Sequence, residues 1–111
     1  MLSKEYRLKK RKEFAYIYRV GDATHTKYLS LISTPTKRNV RIGFSVSKKV
    51  GKAYMRNLIK RRLTEIIKKH LPNMDQHYNY VIVAKVGIAD LTFSQLANDV
   101  ELLLNRSGRL Q

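Results

Sequence analysis

A run of basic residues in the middle of the chain is the part of the sequence whose residue types best support a specific chemistry. Seven of the fifteen residues from Lys48 to Arg62 are Lys or Arg, and none is acidic. Such a cluster produces a positive field that favours a polyanion. Asn57 lies within it, and its amide can both donate and accept hydrogen bonds. These residues predict recognition of phosphates; the alternative is an ordinary solvated charged face.

Residues that could catalyse a reaction do not occur in any recognisable spacing. His25, His70 and His77 are isolated and do not form a metal-binding pattern such as H-x-x-x-H. Asp99 and Glu101 stand two apart on a predicted helix, so their side chains diverge. We therefore predict no catalytic residue and no metal ligand in this chain.

Length and charge restrict the class of protein further. The 111 residues are enough for one domain, 1–111, with one modest core, and we expect 1–9 and 106–111 to be flexible. The formal net charge of +15 destabilises the fold by self-repulsion, which suggests that it is retained for a partner. Nucleic acid and an anionic membrane surface are the candidate partners.

The sequence also carries information about the compartment. It has no cysteine, which excludes disulfides and thiolate metal sites and is compatible with a reducing cytosol. It has neither a signal peptide nor an apolar stretch near the roughly 18 residues of a membrane span. We predict a soluble, cytoplasmic protein with no membrane insertion and no evident protein partner.

The basic cluster must be positioned by a helix. Met55, Ile59, Leu63 and Ile66 recur at steps of three and four, which predicts one apolar stripe. Arg56 and Lys60 fall beside that stripe, whereas Asn57, Arg61, Thr64 and Lys68 fall on the face opposite it. Arg62 falls near the stripe itself, where its charged end must reach out to solvent. Pro72 ends the helix.

A second helix is predicted from about Lys10 to Val20, because Phe14, Ile17 and Tyr18 share a helical face. Gly21 and the residue after it end this helix. Two interpretations of Phe14 and Tyr18 stay open. Both rings pack in the core, or one edge of each lines a cleft and stacks on a base.

Three stretches predict a sheet. Residues 28–34 and 40–47 alternate in polarity and suggest an antiparallel hairpin, with Val40, Ile42, Phe44 and Val46 pointing inward. Gly43, on the outward side, marks either a close approach to the sheet or a bulge. Residues 80–86 are the most strand-like run, so we place them centrally and parallel to 40–47 after a crossover.

The last helix is predicted to begin after Thr92, with Gln95 as its capping-box partner. The element order is αβββαβα if a third strand is split from residues 28–47, and αββαβα otherwise. Either order gives an α+β sandwich of helices against one mixed sheet.

Three segments of the chain resemble the protein subunit of bacterial ribonuclease P. They are Arg7-Leu-Lys-Lys-Arg-Lys-Glu-Phe14 with Tyr18 and Gly21, Arg41-Ile-Gly-Phe-Ser-Val-Ser-Lys-Lys-Val-Gly-Lys-Ala53, and Arg56-Asn-Leu-Ile-Lys-Arg-Arg62. The resemblance implies an αβββαβα fold with a left-handed crossover through the basic helix, against the usual right-handed rule. Leu58 and Thr64 stand where the family often has Arg.

The resemblance also implies a division of labour in tRNA 5′ maturation. The catalyst in that family is an RNA whose activity depends on Mg²⁺. The resemblance implies that this Mg²⁺ is held mainly by the RNA. The protein subunit binds this RNA and the single-stranded 5′ leader of precursor tRNA. The matching RNA-binding residues are Arg56, Asn57, Lys60, Arg61 and Arg62. The matching leader-binding residues are Phe14, Tyr18, Ser47, Lys48, Lys52 and Lys85.

We therefore carry two hypotheses of function. In the first, the chain is the protein subunit of ribonuclease P, and hydrolysis takes place in the RNA. In the second, it is a general RNA-binding or ribosomal protein with no role in cleavage.

Overall fold

A computed structural model describes residues 2–110 of the chain. Its α-helices span Arg11–Val20 (α1), Ala53–His70 (α2) and Phe93–Ser107 (α3). Its strands span Asp22–His25 (β1), Leu29–Pro35 (β2), Arg41–Val46 (β3) and Tyr78–Ala84 (β4). The predicted α+β class and the αβββαβα order are confirmed.

The four strands form one mixed sheet in the order β1-β2-β4-β3. Strand β4 pairs antiparallel with β2 and parallel with β3, so its predicted central position and direction are confirmed. The predicted hairpin between residues 28–34 and 40–47 is wrong, because β4 lies between β2 and β3. Val81 and Ile82 point to opposite faces of the sheet, and both are fully buried. A strand that is apolar on both sides is most stable in the centre of the sheet, where both of its faces are covered.

The third strand also differs from its predicted origin. It is not split from residues 28–47 but lies at β1, directly after α1, and forms an antiparallel hairpin with β2. Helix α2 connects the parallel neighbours β3 and β4 as a crossover. The left-handed sense of this crossover stays a prediction.

One face of the sheet carries the main core. Ile42 is 1% exposed and Ile82 is fully buried on this face, and α2 and α3 cover them with Leu63 and Val100. Phe44 and Val46 of β3 pack at the margin of the same core. The inward side predicted for β3 is therefore confirmed.

The opposite face, which we call the α1 face, is covered only in part. Ile17 of α1 packs with Val81 and Leu8 in a small second cluster, and Phe14 and Ile32 pack against it. Helix α1 is only ten residues long and does not cover this face completely, since Ser45 and Val83, near the carboxyl ends of β3 and β4, are partly exposed.

Local signals for the ends of helices are confirmed. Thr92 Oγ1 accepts the Gln95 backbone N–H at 3.1 Å, and Gln95 Oε1 accepts the Thr92 backbone N–H at 2.9 Å, which is the predicted capping box. Helix α2 ends at His70, and Pro72 lies in the short 3-10 turn that follows. No helix within residues 2–110 is long and apolar enough to cross a membrane.

Both ends of the described chain have packing partners. Leu2 and Leu8 are buried, and the Leu8 backbone N–H donates to the Ile42 carbonyl oxygen at 3.1 Å. At the other end, the Arg109 guanidinium lies 3.9 Å from the centre of the Tyr78 ring. Flexibility of 1–9 and 106–111 stays a prediction, and positions 1 and 111 lie outside the described residues.

Candidate nucleic-acid interface

The five predicted RNA-binding residues lie on α2. We call them the α2 basic surface: Arg56, Asn57, Lys60, Arg61 and Arg62. Asn57, Lys60 and Arg61 are exposed, whereas Arg56 and Arg62 are half-buried. Partial burial of Arg62 agrees with its predicted place near the apolar stripe, because its aliphatic stem can cover the core while its charge stays in water.

The buried side of α2 fixes the orientation of this surface. Ile59, Leu63 and Ile66 are buried as predicted, which turns Asn57 and Arg61 outward. Asn57, Lys60, Arg61 and Thr64 line a groove of about 270 Å³. The groove offers an amide beside two cations, a set that can contact a phosphate and a sugar or base together.

Thr64 does not belong to the exposed face where the sequence analysis placed it. It is 8% exposed, and its hydroxyl donates to the Lys60 carbonyl oxygen at 2.7 Å. The reason is that the N-terminal segment lies beside this side of α2, with Leu2 and Arg7 lining one cavity with Lys60 and Thr64. A small side chain at position 64 therefore serves packing rather than RNA contact.

The turn between β3 and α2 brings three predicted leader-binding residues together. Ser47, Lys48 and Lys52 are all exposed there. Lys52 is the N-cap of α2, and neither a side-chain cap nor an acidic residue occupies the first turn. Free N–H groups at a helix N-terminus favour an anion, and the two lysines add charge.

Lys85 approaches the same edge of the sheet from the neighbouring strand. Val46 pairs with Ala84 in the parallel ladder, so the residues that follow β3 and β4 emerge side by side. The Lys85 ammonium donates to the Thr26 carbonyl oxygen at 2.6 Å. One of its three donors is thereby used, and its charge stays at the edge.

Phe14 and Tyr18 differ in their surroundings. Phe14 is half-buried and lies over Gly43, where an added Cβ would be 2.6 Å from the ring atom Cε1. Gly43 is thus a site of close approach, as one of its two interpretations held. Tyr18 is 45% exposed, so its ring is available to a ligand.

The ion pair between Glu13 and Arg41 shows which way Tyr18 faces. Arg41 begins β3, so Glu13 lies on the flank of α1 that faces the amino ends of β3 and β4. At about 100° per residue, Tyr18 and Glu13 lie on opposite sides of Phe14. Tyr18 therefore faces the carboxyl ends of these strands, towards Ser47 and Lys85.

The floor between these residues was not found from the sequence. The register places His25, Ser30, Val83 and Ser45 in one row across all four strands, on the α1 face. The adjacent row, with Ile32, Val81 and Gly43, is the one under α1. Strand pairing alone reveals such a row, and no local pattern marks it. We call this floor, with the six predicted leader-binding residues around it, the α1 cleft.

The surroundings leave the α2 basic surface strongly positive. The ion pairs among residues 2–110 join Arg41 to Glu13, Lys68 to Glu65 and Arg109 to Asp22, none of which involves that surface. The same residues contain no group of three or more His, Asp or Glu side chains placed to hold a metal ion.

A mixed sheet with an open cleft, joined to an exposed basic helix, defines an RNA-binding α+β protein. The sequence model of the Ribonuclease P family matches residues 2–108. The ribonuclease P protein component of Finegoldia magna is 38% identical over 95 residues, which cover 86% of this chain and 84% of that protein. The component of Symbiobacterium thermophilum is 35% identical over 112 residues, which cover 99% and 97%.

Solved structures agree with this similarity. The structure of the Staphylococcus aureus RNase P protein superposes with a TM-score of 0.90 at 31% identity and covers 97% of this chain and 100% of that one. The chain belongs to the ribonuclease P protein family. It is a subunit of the metal-dependent endoribonuclease that matures tRNA 5′ ends, and it works with the RNA subunit and precursor tRNA.

Proposed function

We propose that the chain divides its work between two surfaces, with the α2 basic surface binding the catalytic RNA and the α1 cleft binding the 5′ leader. The observation that carries this proposal is the turn Ser47–Lys52, which joins the end of β3, the strand that carries Ser45 in the cleft floor, to the N-terminus of α2. Because the turn is short, the two surfaces are held in one fixed relation. A leader in the cleft is thereby aligned with the RNA bound on α2.

The residues of the cleft have distinct roles in this proposal. Tyr18 offers an exposed ring for stacking on a base, and Phe14 supports it from one helical turn earlier. Lys48, Lys52 and Lys85 contact phosphates, which supply affinity without sequence preference. This chain therefore holds and aligns the substrate, and the bond to the leader is broken in the RNA subunit.

We also propose that the metal of the reaction is Mg²⁺ and that RNA phosphates and water hold most of its coordination sites. Mg²⁺ favours hard oxygen ligands and keeps several of its waters, which suits phosphates. The positive side chains of the protein lower repulsion between the RNAs, which reduces the Mg²⁺ concentration needed for assembly. The cytoplasm, where bacterial precursor tRNA is made, is the proposed location.

Leader removal at low Mg²⁺ tests this division. The protein is combined with a bacterial ribonuclease P RNA and precursor tRNA, and the rate is compared with that of the RNA alone. We expect a clear enhancement that the double substitution R56A/K60A reduces. Lys37 and Arg38, in the exposed loop before β3, provide the charge-matched control K37A/R38A. The absence of any enhancement would refute the proposal.

A further inference from the structure

His25 stands at the far end of the cleft floor and has no role in the function proposed so far. It belongs to the edge strand β1 and pairs with Ser30 in the row that continues through Val83 to Ser45. Its side chain is exposed. Three inter-strand spacings of about 4.8 Å separate β1 from β3, so His25 lies about 14 Å across the sheet from Ser45.

The imidazole of His25 is held in place by a buried neighbour. Its Nδ1 atom lies 2.7 Å from the hydroxyl oxygen of Ser30, which is 7% exposed. When the hydroxyl donates to Nδ1, the ring hydrogen is on Nε2. The ring then presents one oriented N–H donor on the α1 face, and a donor of this kind suits an anionic acceptor.

Two permanent cations from other elements are anchored on the backbone next to His25. The Arg106 guanidinium of α3 donates to the His25 carbonyl oxygen at 3.1 Å, and the Lys85 ammonium donates to that of Thr26 at 2.6 Å. One carboxylate opposes them, since Asp99 accepts the Thr26 hydroxyl at 2.6 Å. The local balance is positive and favours a phosphate over a neutral base.

We propose that His25 is a leader-binding residue, which contacts a phosphate of the 5′ leader where the strand leaves the α1 cleft at the edge of β1. The proposal rests on the function proposed above, and it adds a direction to it. The leader enters beside Ser47 and the N-terminus of α2, crosses the floor row, and leaves at the β1–β2 turn. Ser30 acts as a positioning residue, because it orients the ring without touching RNA.

The length of the leader distinguishes the His25 contact from the other leader contacts in a binding experiment. A single nucleotide of leader does not span the roughly 14 Å from Ser45 to His25, whereas ten nucleotides, even at the stacked rise of about 3.4 Å, cover about 34 Å and do. The affinity of the assembled enzyme is measured for mature tRNA and for precursors with leaders of one and of about ten nucleotides. The variants are H25A, H25K, S30A and, as an exposed histidine outside the cleft, the control H77A.

We expect H25A to weaken binding of the long-leader precursor about three- to tenfold, which is within the range for a typical net hydrogen bond. Short-leader precursor and mature tRNA should bind unchanged. H25K should restore most of the affinity because it supplies a cationic donor, and S30A should give a smaller loss. H77A should match the wild type for all three RNAs.

Three results would overturn the inference. If H25A binds the long leader like the wild type while substitutions at Tyr18 and Lys48 weaken it, the leader uses the cleft without reaching His25. If H25A weakens mature tRNA equally, the residue acts elsewhere. If substitutions at Tyr18 and Lys48 have no effect either, the cleft itself is misassigned, and the proposed function fails together with this contact.

Discussion

Replacing Gly43 by Ala tests whether the position of Phe14 governs leader binding. Gly43 lies in β3 under the Phe14 ring, and an added Cβ would be 2.6 Å from Cε1 and closer still to Cζ. Leu8 Cβ would be 3.2 Å away, which a small shift can accommodate. The ring of Phe14 must therefore tilt or slide off the sheet.

The expected cost combines two opposing effects. Overpacking of this kind destabilises a protein by about 1–3 kcal/mol. Replacement of Gly by Ala also lowers the entropy of the unfolded chain, which stabilises by about 0.4–1 kcal/mol. The net loss for G43A should be about 0.5–2 kcal/mol, measured by urea unfolding. In an F14A background the methyl group has room, so G43A should become neutral or slightly stabilising.

Displacement of the Phe14 ring should also change RNA binding. G43A should weaken precursor tRNA while leaving mature tRNA unaffected, because mature tRNA has no leader in the cleft. Additive unfolding energies for G43A and F14A would refute the reasoning, since they would mean that the added methyl does not meet the ring.

Three further predictions address the charge, the aromatic rings and a buried phenol. In R56A/K60A, the plot of log affinity for the catalytic RNA against log salt concentration should become less steep by about 1.4–1.8, because each of the two lost phosphate contacts contributes about 0.7–0.9. An unchanged slope would mean that the two side chains belong to a solvated face and do not contact the RNA. Alanine at Phe14 or Tyr18 should weaken precursor tRNA by about 1–3 kcal/mol per stacked base and leave mature tRNA unchanged; equal losses for both RNAs, or losses that track thermal unfolding, would make the rings structural. Burial raises the pKa of Tyr80 well above its usual range, so its stabilising contribution is complete below about pH 10 and is lost as the pH rises further. Y80F should therefore flatten the alkaline fall in stability, and a fall equal to that of the wild type would place its cause elsewhere.

Local sequence patterns were sufficient for the three helices and for strands β2, β3 and β4, but they did not predict β1. The stripe of Ile59, Leu63 and Ile66 predicted the buried side of α2, and Thr92 with Gln95 predicted the start of α3. These patterns succeed because a helix interacts first with its own turns, three and four residues away. The charge of the α2 basic surface is likewise a property of composition, and the motifs around it carried the family resemblance.

Strand order could not be obtained in the same way. Residues 28–34 and 40–47 suggested a hairpin because they are neighbours in the sequence, and sequence neighbours often pair. Strand β4 displaces that pairing because a strand that is apolar on both sides is most stable where both faces are covered. The competition is decided by the burial of the whole sheet, which no segment encodes alone.

The exposure of Thr64 could not be predicted from its position on the helix either. Its spacing placed it with Asn57 and Arg61 on the outer side of α2, but the N-terminal segment lies beside it and leaves it 8% exposed. A helical wheel gives the angle of a side chain, whereas Leu2 and Arg7, which line a cavity together with Thr64, are more than fifty positions away in the sequence. Exposure therefore depends on tertiary packing.

The α1 cleft shows most clearly what the sequence determines and what the tertiary structure determines. By itself, the sequence determined the cations and aromatic rings, because these are properties of single residues and of short motifs. Only the tertiary structure decided that Phe14 lies on Gly43, that Lys85 emerges beside Ser47, and that a row from His25 to Ser45 forms a floor. The physical reason is that a sheet brings residues together through the register of its backbone hydrogen bonds, which is set by the burial of both faces at once.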